Sequence, residues 1–351
     1  MKQVHSTWPL FIDDLQFAQN WMRNQLSRFP MSAEVGHTAL NIGLRGEVEK
    51  YLASKPRDNR VKQSIEDQFR FRLARMDGEK NPYRELIPRC HHDNVYRFVA
   101  EAANRKTPLT VRLFGGLGDQ LELLSLVVPW GRRHNVPLRL MAEEKCCRLL
   151  KPLLPEHVRI ERFNPDECSP LAQSMAIRLG IFQHDPSSCF TSWIQTEMCT
   201  RDPNLMVCCW RAEGHRNPLS AHSRSVPFPL VHSLYLRLME REPQTKIVDI
   251  TTWQPWEMRR FQEIGVTIQN PITLGLKGLV NLCQGRRVLS IDTALIHLCV
   301  AMGHAAELLL PYFPDERWVE LSRSQHNYGQ QLKIYRSTQF GSWAKLIDSI
   351  N

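Results

Sequence analysis

Acidic, hydroxyl and imidazole side chains lie close together in residues 292–297, which read Asp-Thr-Ala-Leu-Ile-His. The residues before them are β-prone, and the apolar spacing after them predicts an amphipathic helix that ends at Gly303. Asp292 or Thr293 can cap this helix, and free amides at a helix N-terminus beside a hydroxyl and an imidazole can bind a diphosphate. A core histidine that is hydrogen-bonded to backbone is the alternative for His297.

A second candidate site is a glycine-rich loop that follows a β-prone run and reads Gly115-Gly116-Leu117-Gly118-Asp119-Gln120. Glycines permit a tight turn, and a helix predicted from residue 121 points its amides at the loop. The spacing differs from the dinucleotide-binding fingerprint G-x-G-x-x-G. Asp119 stands at the helix entrance, where its carboxylate either caps the helix or takes a proton from an acceptor hydroxyl. A carboxylate that is turned toward its own backbone can combine these roles only in part.

Two further groups follow β-prone runs. Arg211 could neutralise phosphate charge, whereas its neighbour Trp210 could equally be a plain core residue. Residues 311–318 read Pro-Tyr-Phe-Pro-Asp-Glu-Arg-Trp, so two prolines stiffen the segment and its aromatic side chains could stack on a base or a sugar. The alternative for Trp318 is that it covers the edge of a sheet.

The elements that must position these groups alternate between strand and helix from residue 109 onward. Such alternation predicts parallel sheets with helices on their faces, and ligands of such sheets bind outside the carboxyl ends of the strands. The chain length fits two sheet domains, residues 109–204 and 205–351, with a ligand cleft between them. Residues 1–108 are predicted to be helical, with one helix over 36–52, and to cap the next domain. The predicted strands are 109–114, 136–141, 158–163, 205–210, 246–250, 266–268, 287–290, 308–310 and 332–336.

Composition narrows the class of protein. Hydrophobic residues make up 42% and charged residues 23% of the 351, which is typical of a soluble globular chain, and no apolar run is long enough for a transmembrane helix. Ten cysteines without a C-x-x-C spacing favour reduced thiols in the cytosol and no metal site. The net charge of +9 could favour phosphorylated ligands, nucleic acid or an anionic membrane. Because no long Lys/Arg run occurs, nucleic acid is not expected as a partner.

Five short motifs occur in order in the C-terminal half: Cys209-Trp210-Arg211, Arg224-Ser225-Val226-Pro227, Asp292-Thr293 with His297-Leu298 and Gly303, the run from Leu309 to Trp318, and Tyr335-Arg336 followed by Gly341-Ser342-Trp343. On these motifs the chain resembles the glycosyltransferases related to bacterial ADP-heptose:lipopolysaccharide heptosyltransferases, and especially the branch often fused to tetratricopeptide repeats. The loop Gly116-Leu117-Gly118-Asp119 also resembles the start of that family's N-terminal domain. Residues 1–108 and 164–204 lie outside the resemblance.

The resemblance implies a GT-B fold, in which two Rossmann-like α/β domains face a cleft, here preceded by an α-helical N-terminal region. Residues 109–204 would present the acceptor, and residues 205–351 would hold a nucleotide-diphosphate sugar. The implied reaction transfers the sugar to a polysaccharide, a lipid-linked glycan or a protein, with no metal and no other cofactor. The implied location is the cytoplasm, including the inner face of the membrane, where the chain could contact anionic lipid.

Matching motifs gives each candidate residue an expected role. Asp119 is the expected catalytic base, beside the cleft loop of Gly115, Gly116, Gly118 and Gln120. The expected donor-binding residues are Trp210, Arg211, Arg224, Asp292, Thr293, Ala294 and His297, and the expected lid residues are Tyr312, Asp315 and Trp318. Where relatives often have a glycine-and-asparagine loop, this chain has Arg211-Ala212-Glu213, so the donor contacts of that loop are not carried over. A non-catalytic sugar-nucleotide or glycan-binding module and a sugar-nucleotide epimerase remain as alternative functions.

Overall fold

The computed structural model describes residues 15–28, 36, 39–40, 42–53, 69–70, 73, 93–113, 115–163, 174–196, 202–212, 224–312, 314, 318, 331–339 and 342–350. Its N-terminal part contains the helices α1 (Leu15–Arg28), α2 (Arg45–Ala53) and α3 (Asp93–Arg105). The single helix expected over 36–52 is wrong, because the chain turns at Ile42 and Gly43 before α2 begins. Gly43 has a φ of 78°, a left-handed conformation that favours glycine and ends a helix.

A three-stranded parallel sheet follows, in the order β1-β2-β3. Its elements are β1 (Leu109–Arg112), α4 (Leu117–His134), β2 (Leu138–Ala142), α5 (Glu144–Leu150), a 3-10 turn (Lys151–Leu153), β3 (Val158–Arg162) and α6 (Ser174–His184). Helix α4 begins at Leu117 and not at residue 121 as expected, because Asp119 receives a backbone N–H from Gly116 and extends the helix into the glycine loop. Most of the predicted loop is therefore the first turn of α4.

The second sheet has six strands in the order β6-β5-β4-β7-β8-β9, and each neighbouring pair is parallel. Its elements are β4 (Leu205–Cys209), α7 (Phe228–Arg241), β5 (Lys246–Asp249), α8 (Pro255–Glu263), β6 (Thr267–Ile268), α9 (Pro271–Cys283), β7 (Arg287–Ile291), α10 (Ala294–Met302), β8 (Ala306–Leu310), β9 (Leu332–Arg336) and α11 (Ala344–Asp348). If strands β4 to β9 are renumbered 1 to 6, this is the doubly wound order 3-2-1-4-5-6. The direction of winding changes between β4 and β7.

Buried apolar residues join the two sheets. Helix α4 of the first sheet packs directly on α10 of the second, and one apolar cluster runs from Leu121 through Leu295 to the strands on either side. The backbone amides of Trp193 and Ile194 also bond the carbonyl of Ala301 at the end of α10, at 2.8 and 3.0 Å. The α/β architecture with parallel sheets is confirmed. No helix among the described residues is both long enough and apolar enough to cross a membrane.

Candidate functional site

The centre of the second sheet places two chain segments from the predicted site side by side. Strands β4 and β7 are neighbours there, with Cys209 opposite Ser290 in the register, so Trp210 and Asp292 follow at the same edge. This edge is the carboxyl end of the strands at the point where the winding of the sheet changes. Ligands of open α/β sheets bind at such a point. The sequence predicted both strand ends, but not that they are adjacent.

Asp292 and His297 form a buried polar pair after β7, and half-buried Arg224 contacts Asp292. The carboxylate of Asp292 has one oxygen 3.4 Å from Nε2 of His297 and the other 3.4 Å from Nη1 of Arg224. The same guanidinium nitrogen lies 3.4 Å from the backbone carbonyl of Asp292. Both Asp292 and His297 are almost fully buried. The carboxylate therefore orients the imidazole and balances the charge of the guanidinium.

The first turn of α10 begins at the residues predicted for it. Thr293 is the N-cap residue, with an extended backbone, and half-buried Ala294 is the first helical residue. Residues 294–302 form the helix as expected, and Gly303 ends it with a φ of 70°. The helix N-terminus points toward the carboxyl edge of the sheet, because α10 starts where β7 stops. Its partial positive charge favours an anion at this place.

The glycine loop after β1 contacts the imidazole of His297. A Cβ atom on Gly118 would lie 2.6 Å from Cδ2 and 3.1 Å from Nε2 of His297, which leaves no room for a side chain. Gly115 has a φ of 84°, so the turn before α4 also needs glycine. The structure thus brings together the strand–helix junctions after β1 and after β7, which the sequence suggested would face each other.

Asp119 and Gln120 hold the shape of this loop. One carboxylate oxygen of Asp119 accepts the backbone N–H of Gly116 at 2.9 Å, which is the capping arrangement that the sequence left open. Gln120 is buried and its amide nitrogen donates to the carbonyl of Gly115 at 3.3 Å. Gln120 therefore supports the loop from below. The role of Asp119 as a base stays a prediction.

Trp210 lies in the core beneath the site. Its side chain has no exposed surface, and its indole nitrogen donates to the Tyr235 hydroxyl at 2.5 Å. The Tyr235 hydroxyl donates in turn to the carboxylate of Asp249 at 2.8 Å. The observed side chain is a core residue, which was the alternative stated for Trp210. A donor contact would require Trp210 to leave this position.

Arg211 is held by a carboxylate. Its two terminal nitrogens lie 2.7 and 2.6 Å from the two oxygens of Glu257, and its guanidinium stacks on the ring of Trp253 at 4.1 Å. Glu257 also accepts the backbone N–H of Gln254, which fixes it at the start of α8. The charge that Arg211 was expected to offer a phosphate is therefore already balanced.

Asp249 at the end of β5 is a buried carboxylate that sequence reasoning missed. Its carboxylate accepts hydrogen bonds from Tyr235, from the Trp253 indole at 2.9 Å and from the Thr251 amide at 2.7 Å. Complete burial raises its pKa from 3.8 to about 6, although these hydrogen bonds act in the opposite direction. Its only signal in the sequence was an acidic residue within a predicted buried strand.

Trp318, which follows β8, packs against the imidazole of His297. The ring of Trp318 is buried, with its centroid 5.4 Å from that of His297 at an interplanar angle of 38°. Tyr312 is half-buried, and its carbonyl accepts two hydrogen bonds from the Arg336 guanidinium at 3.3 and 3.0 Å. Asp315 lies outside the described residues. Trp318 therefore packs on the site, as a lid residue or a sheet-edge cover would.

The described residues contain no group of three or more His, Cys, Asp or Glu side chains that could hold a metal ion. The side chains that meet at the site are instead one imidazole, two guanidinium groups with carboxylate partners, and two sets of helix amides. Such a set can bind and orient an anion and can move a proton. The chemistry it suits best is transfer at a phosphorylated or diphosphate-bearing ligand.

No protein-family model matches the chain, and no curated protein sequence matches it. Solved structures that are similar to it include a glycosyl transferase family 9 protein from Veillonella parvula, with 10% identity and a TM-score of 0.44 over 66% of this chain and 86% of that chain. The E. coli heptosyltransferase WaaC with ADP-2-deoxy-2-fluoro heptose has 12% identity and a TM-score of 0.45 over 69% of this chain and 98% of that chain. E. coli ADP-heptose lps heptosyltransferase II has 11% identity and a TM-score of 0.44, over 69% and 94% of the respective chains.

Proposed function

We propose that this chain is a glycosyltransferase that moves a sugar from a nucleotide-diphosphate donor to a glycan, lipid-linked or protein acceptor. The observation that carries the proposal is the contact of Gly118 with His297. It joins the glycine loop of one parallel sheet to the helix N-terminus at the winding change of a doubly wound sheet. When two strand–helix junctions face each other, a donor bound at one can contact an acceptor bound at the other. Sugar transfer requires this contact.

The donor diphosphate would bind at the N-terminus of α10. Thr293 and Ala294 begin that helix, and Arg224, Asp292 and His297 form its polar floor. Because the two arginines of the site have carboxylate partners, we infer that backbone amides supply most of the attraction for the diphosphate. The same amides would stabilise the negative charge that develops on the leaving diphosphate.

The acceptor would approach from the side of the first sheet. Asp119 is the candidate base, and one of its oxygens already binds Gly116. The carboxylate would take the proton from the acceptor hydroxyl. We propose a reaction without metal or other cofactor, in a protein of the heptosyltransferase-like branch often fused to tetratricopeptide repeats. The proposed location is the cytoplasm, including contact with the anionic inner face of the membrane.

A thermal-shift screen with nucleotide sugars tests the donor part of the proposal, because a ligand that binds only the folded chain raises the melting temperature. The donor that gives the largest shift is then incubated with candidate acceptors, and release of nucleoside diphosphate is measured. The variant Asp119→Asn should bind the donor but lose about 100-fold or more of the transfer rate, the usual contribution of a general base. Glu263→Gln, which changes an exposed carboxylate on α8, is the matched control. Full turnover by the Asp119 variant would refute the base assignment.

A non-catalytic sugar-nucleotide-binding module is the second candidate function. The capping bond of Asp119 favours it, because a carboxylate engaged by its own backbone is a poorer base. Donor binding without release of nucleoside diphosphate in any acceptor mixture would support the module. Appearance of an epimerised sugar without acceptor would instead identify an epimerase.

A further inference from the structure

The N-cap side chain of α10 does not cap its helix. Thr293 has the extended backbone of an N-cap residue, with φ −138° and ψ 173°, but within the described residues its hydroxyl makes no capping hydrogen bond. Its oxygen lies instead 3.1 Å from the hydroxyl oxygen of Ser290. A threonine in this place ordinarily accepts an N–H from the first turn of the helix. The hydroxyl of Thr293 is therefore held away from the amides of the first turn of α10, from which it could accept a hydrogen bond.

The direction of the bond between the two hydroxyls follows from counting protons. Ser290 is fully buried on β7, and its single hydroxyl proton is donated to the carbonyl of Ile291 at 2.8 Å. A carbonyl can only accept, so the oxygen of Ser290 must accept its second bond from Thr293. Cys209, which is opposite Ser290 in the sheet, also contacts the Thr293 side chain. The hydroxyl of Thr293 is thus turned toward the sheet and away from the helix amides.

We propose that Ser290 is a positioning residue that holds the hydroxyl of Thr293 off the N-terminus of α10, so that the helix amides remain available to the donor diphosphate. The inference rests on the proposed function, because it takes this helix end as the diphosphate site. It gives the Thr293 hydroxyl no direct contact with the ligand. A hydroxyl that capped the helix would compete with the anion for the same N–H groups.

The first test is Ser290→Ala, which removes the acceptor for Thr293. The freed hydroxyl then caps its own helix, so the melting temperature of the ligand-free protein stays the same or rises. The Kd for a nucleoside diphosphate, measured separately with ADP and UDP by calorimetry, increases by about tenfold, as for one lost hydrogen bond to an anion. A merely structural serine would give the reverse pattern, with a lower melting temperature and an unchanged Kd.

The matched variant is Thr293→Val, which keeps the shape of threonine and has no hydroxyl with which to cap. The Kd of this variant for the tighter-binding of the two nucleotides is the reference for the double variant below. Adding Ser290→Ala to Thr293→Val changes this Kd by less than about twofold, since no hydroxyl is left to be released. A serine with only a general structural effect would instead weaken binding in the Thr293→Val background as well.

Thr293→Asn keeps the inference testable if Ser290→Ala does not fold. Asparagine is a stronger N-cap residue than threonine, and it is neutral, so it adds no repulsion toward the anion. Its side chain occupies the helix amides while Ser290 is intact. The expected result is a melting temperature that is not lowered and a Kd about tenfold higher, again one lost hydrogen bond to an anion.

Failure of the inference differs from failure of the proposed function. If the unchanged protein binds ADP or UDP and the Ser290→Ala and Thr293→Asn variants bind it equally well, the positioning role is refuted and the donor site stands. If Thr293→Val binds as weakly as Ser290→Ala, the hydroxyl is itself a ligand contact and the inference is also refuted. If the unchanged protein binds neither nucleotide, the donor site at α10 is refuted and the inference falls with it.

Discussion

The buried carboxylate of Asp249 makes the stability of the chain depend on pH in a direction opposite to that of most acidic residues. Its folded pKa is about 6, against 3.8 for an ordinary aspartate, because burial disfavours the charged form. Between these two values the folded chain binds more protons at this site than the unfolded chain. The free energy of unfolding therefore falls as pH rises through this window, and the full contribution is present only below pH 3.8.

The size of the effect follows from the same two values. The difference between 3.8 and about 6 corresponds to roughly 3 kcal/mol, and most of it is lost between pH 4 and pH 7. Asp185 and Glu307 have lowered pKa values, since hydrogen-bonded partners favour their charged forms, and they act in the opposite direction. Asp249 therefore has to be isolated by substitution and cannot be read from the pH profile of the unchanged protein alone.

Asp249→Asn removes the titration while it keeps the shape of the side chain. In the variant, the side-chain NH2 group replaces one carboxylate oxygen and faces hydrogen-bond donors, with which it cannot bond. The variant is therefore less stable than the unchanged protein by about 1–3 kcal/mol at low pH. The difference in unfolding free energy between the unchanged protein and the variant is measured with urea from pH 4 to pH 7. It should shrink by roughly 2–3 kcal/mol as the pH rises. Asp348→Asn on the surface is the matched control for loss of a carboxylate. Parallel pH profiles for the unchanged protein and Asp249→Asn would refute the reasoning.

Two other contacts can be tested by substitution. Gly118→Ala pushes a methyl group against His297, so we expect a loss of stability of about 1–3 kcal/mol and weaker nucleotide binding, whereas Gly46→Ala has free space and should be neutral or stabilising. A Gly118 variant with normal melting temperature and Kd would show that the contact is not needed. Arg178→Met removes a buried ion-pair partner of Glu122, so urea unfolding should report a loss of about 3–5 kcal/mol; a loss below about 1 kcal/mol would contradict the buried pair.

The strands and most helices of residues 205–350 follow from local pattern. Residues 294–302 form a helix that ends at Gly303 as predicted, because apolar spacing and a C-terminal glycine are local signals. The start of α4 at Leu117 was missed, because the capping bond of Asp119 to Gly116 extends the helix into a loop-like sequence. The turn at Gly43 was missed for a related reason, since a single left-handed glycine outweighs the apolar spacing around it.

Partners that are distant in sequence could not be predicted. Arg211 pairs with Glu257, 46 residues away, only because β4 and β5 are neighbours and α8 starts above them. The same strand order brings Trp210 next to Tyr235 and makes it a core residue. Alternation of strands and helices predicts a parallel sheet but does not give the order of its strands. The charge balance of the candidate site therefore became visible only with the fold.

That charge balance changes how the site can attract an anion. Arg224 is paired with Asp292 and Arg211 with Glu257, so neither arginine offers an uncompensated charge to a ligand. What remains is the dipole of α10 with the amides of its first turn, since Asp119 already accepts the Gly116 amide of the glycine loop. Any side chain that turned back to cap those amides would lower the attraction. The hydroxyl of Thr293 is the nearest such group, and its bond to Ser290 keeps it turned away. We therefore expect the binding strength of the site to depend on a buried serine as well as on the charged residues that the sequence made prominent.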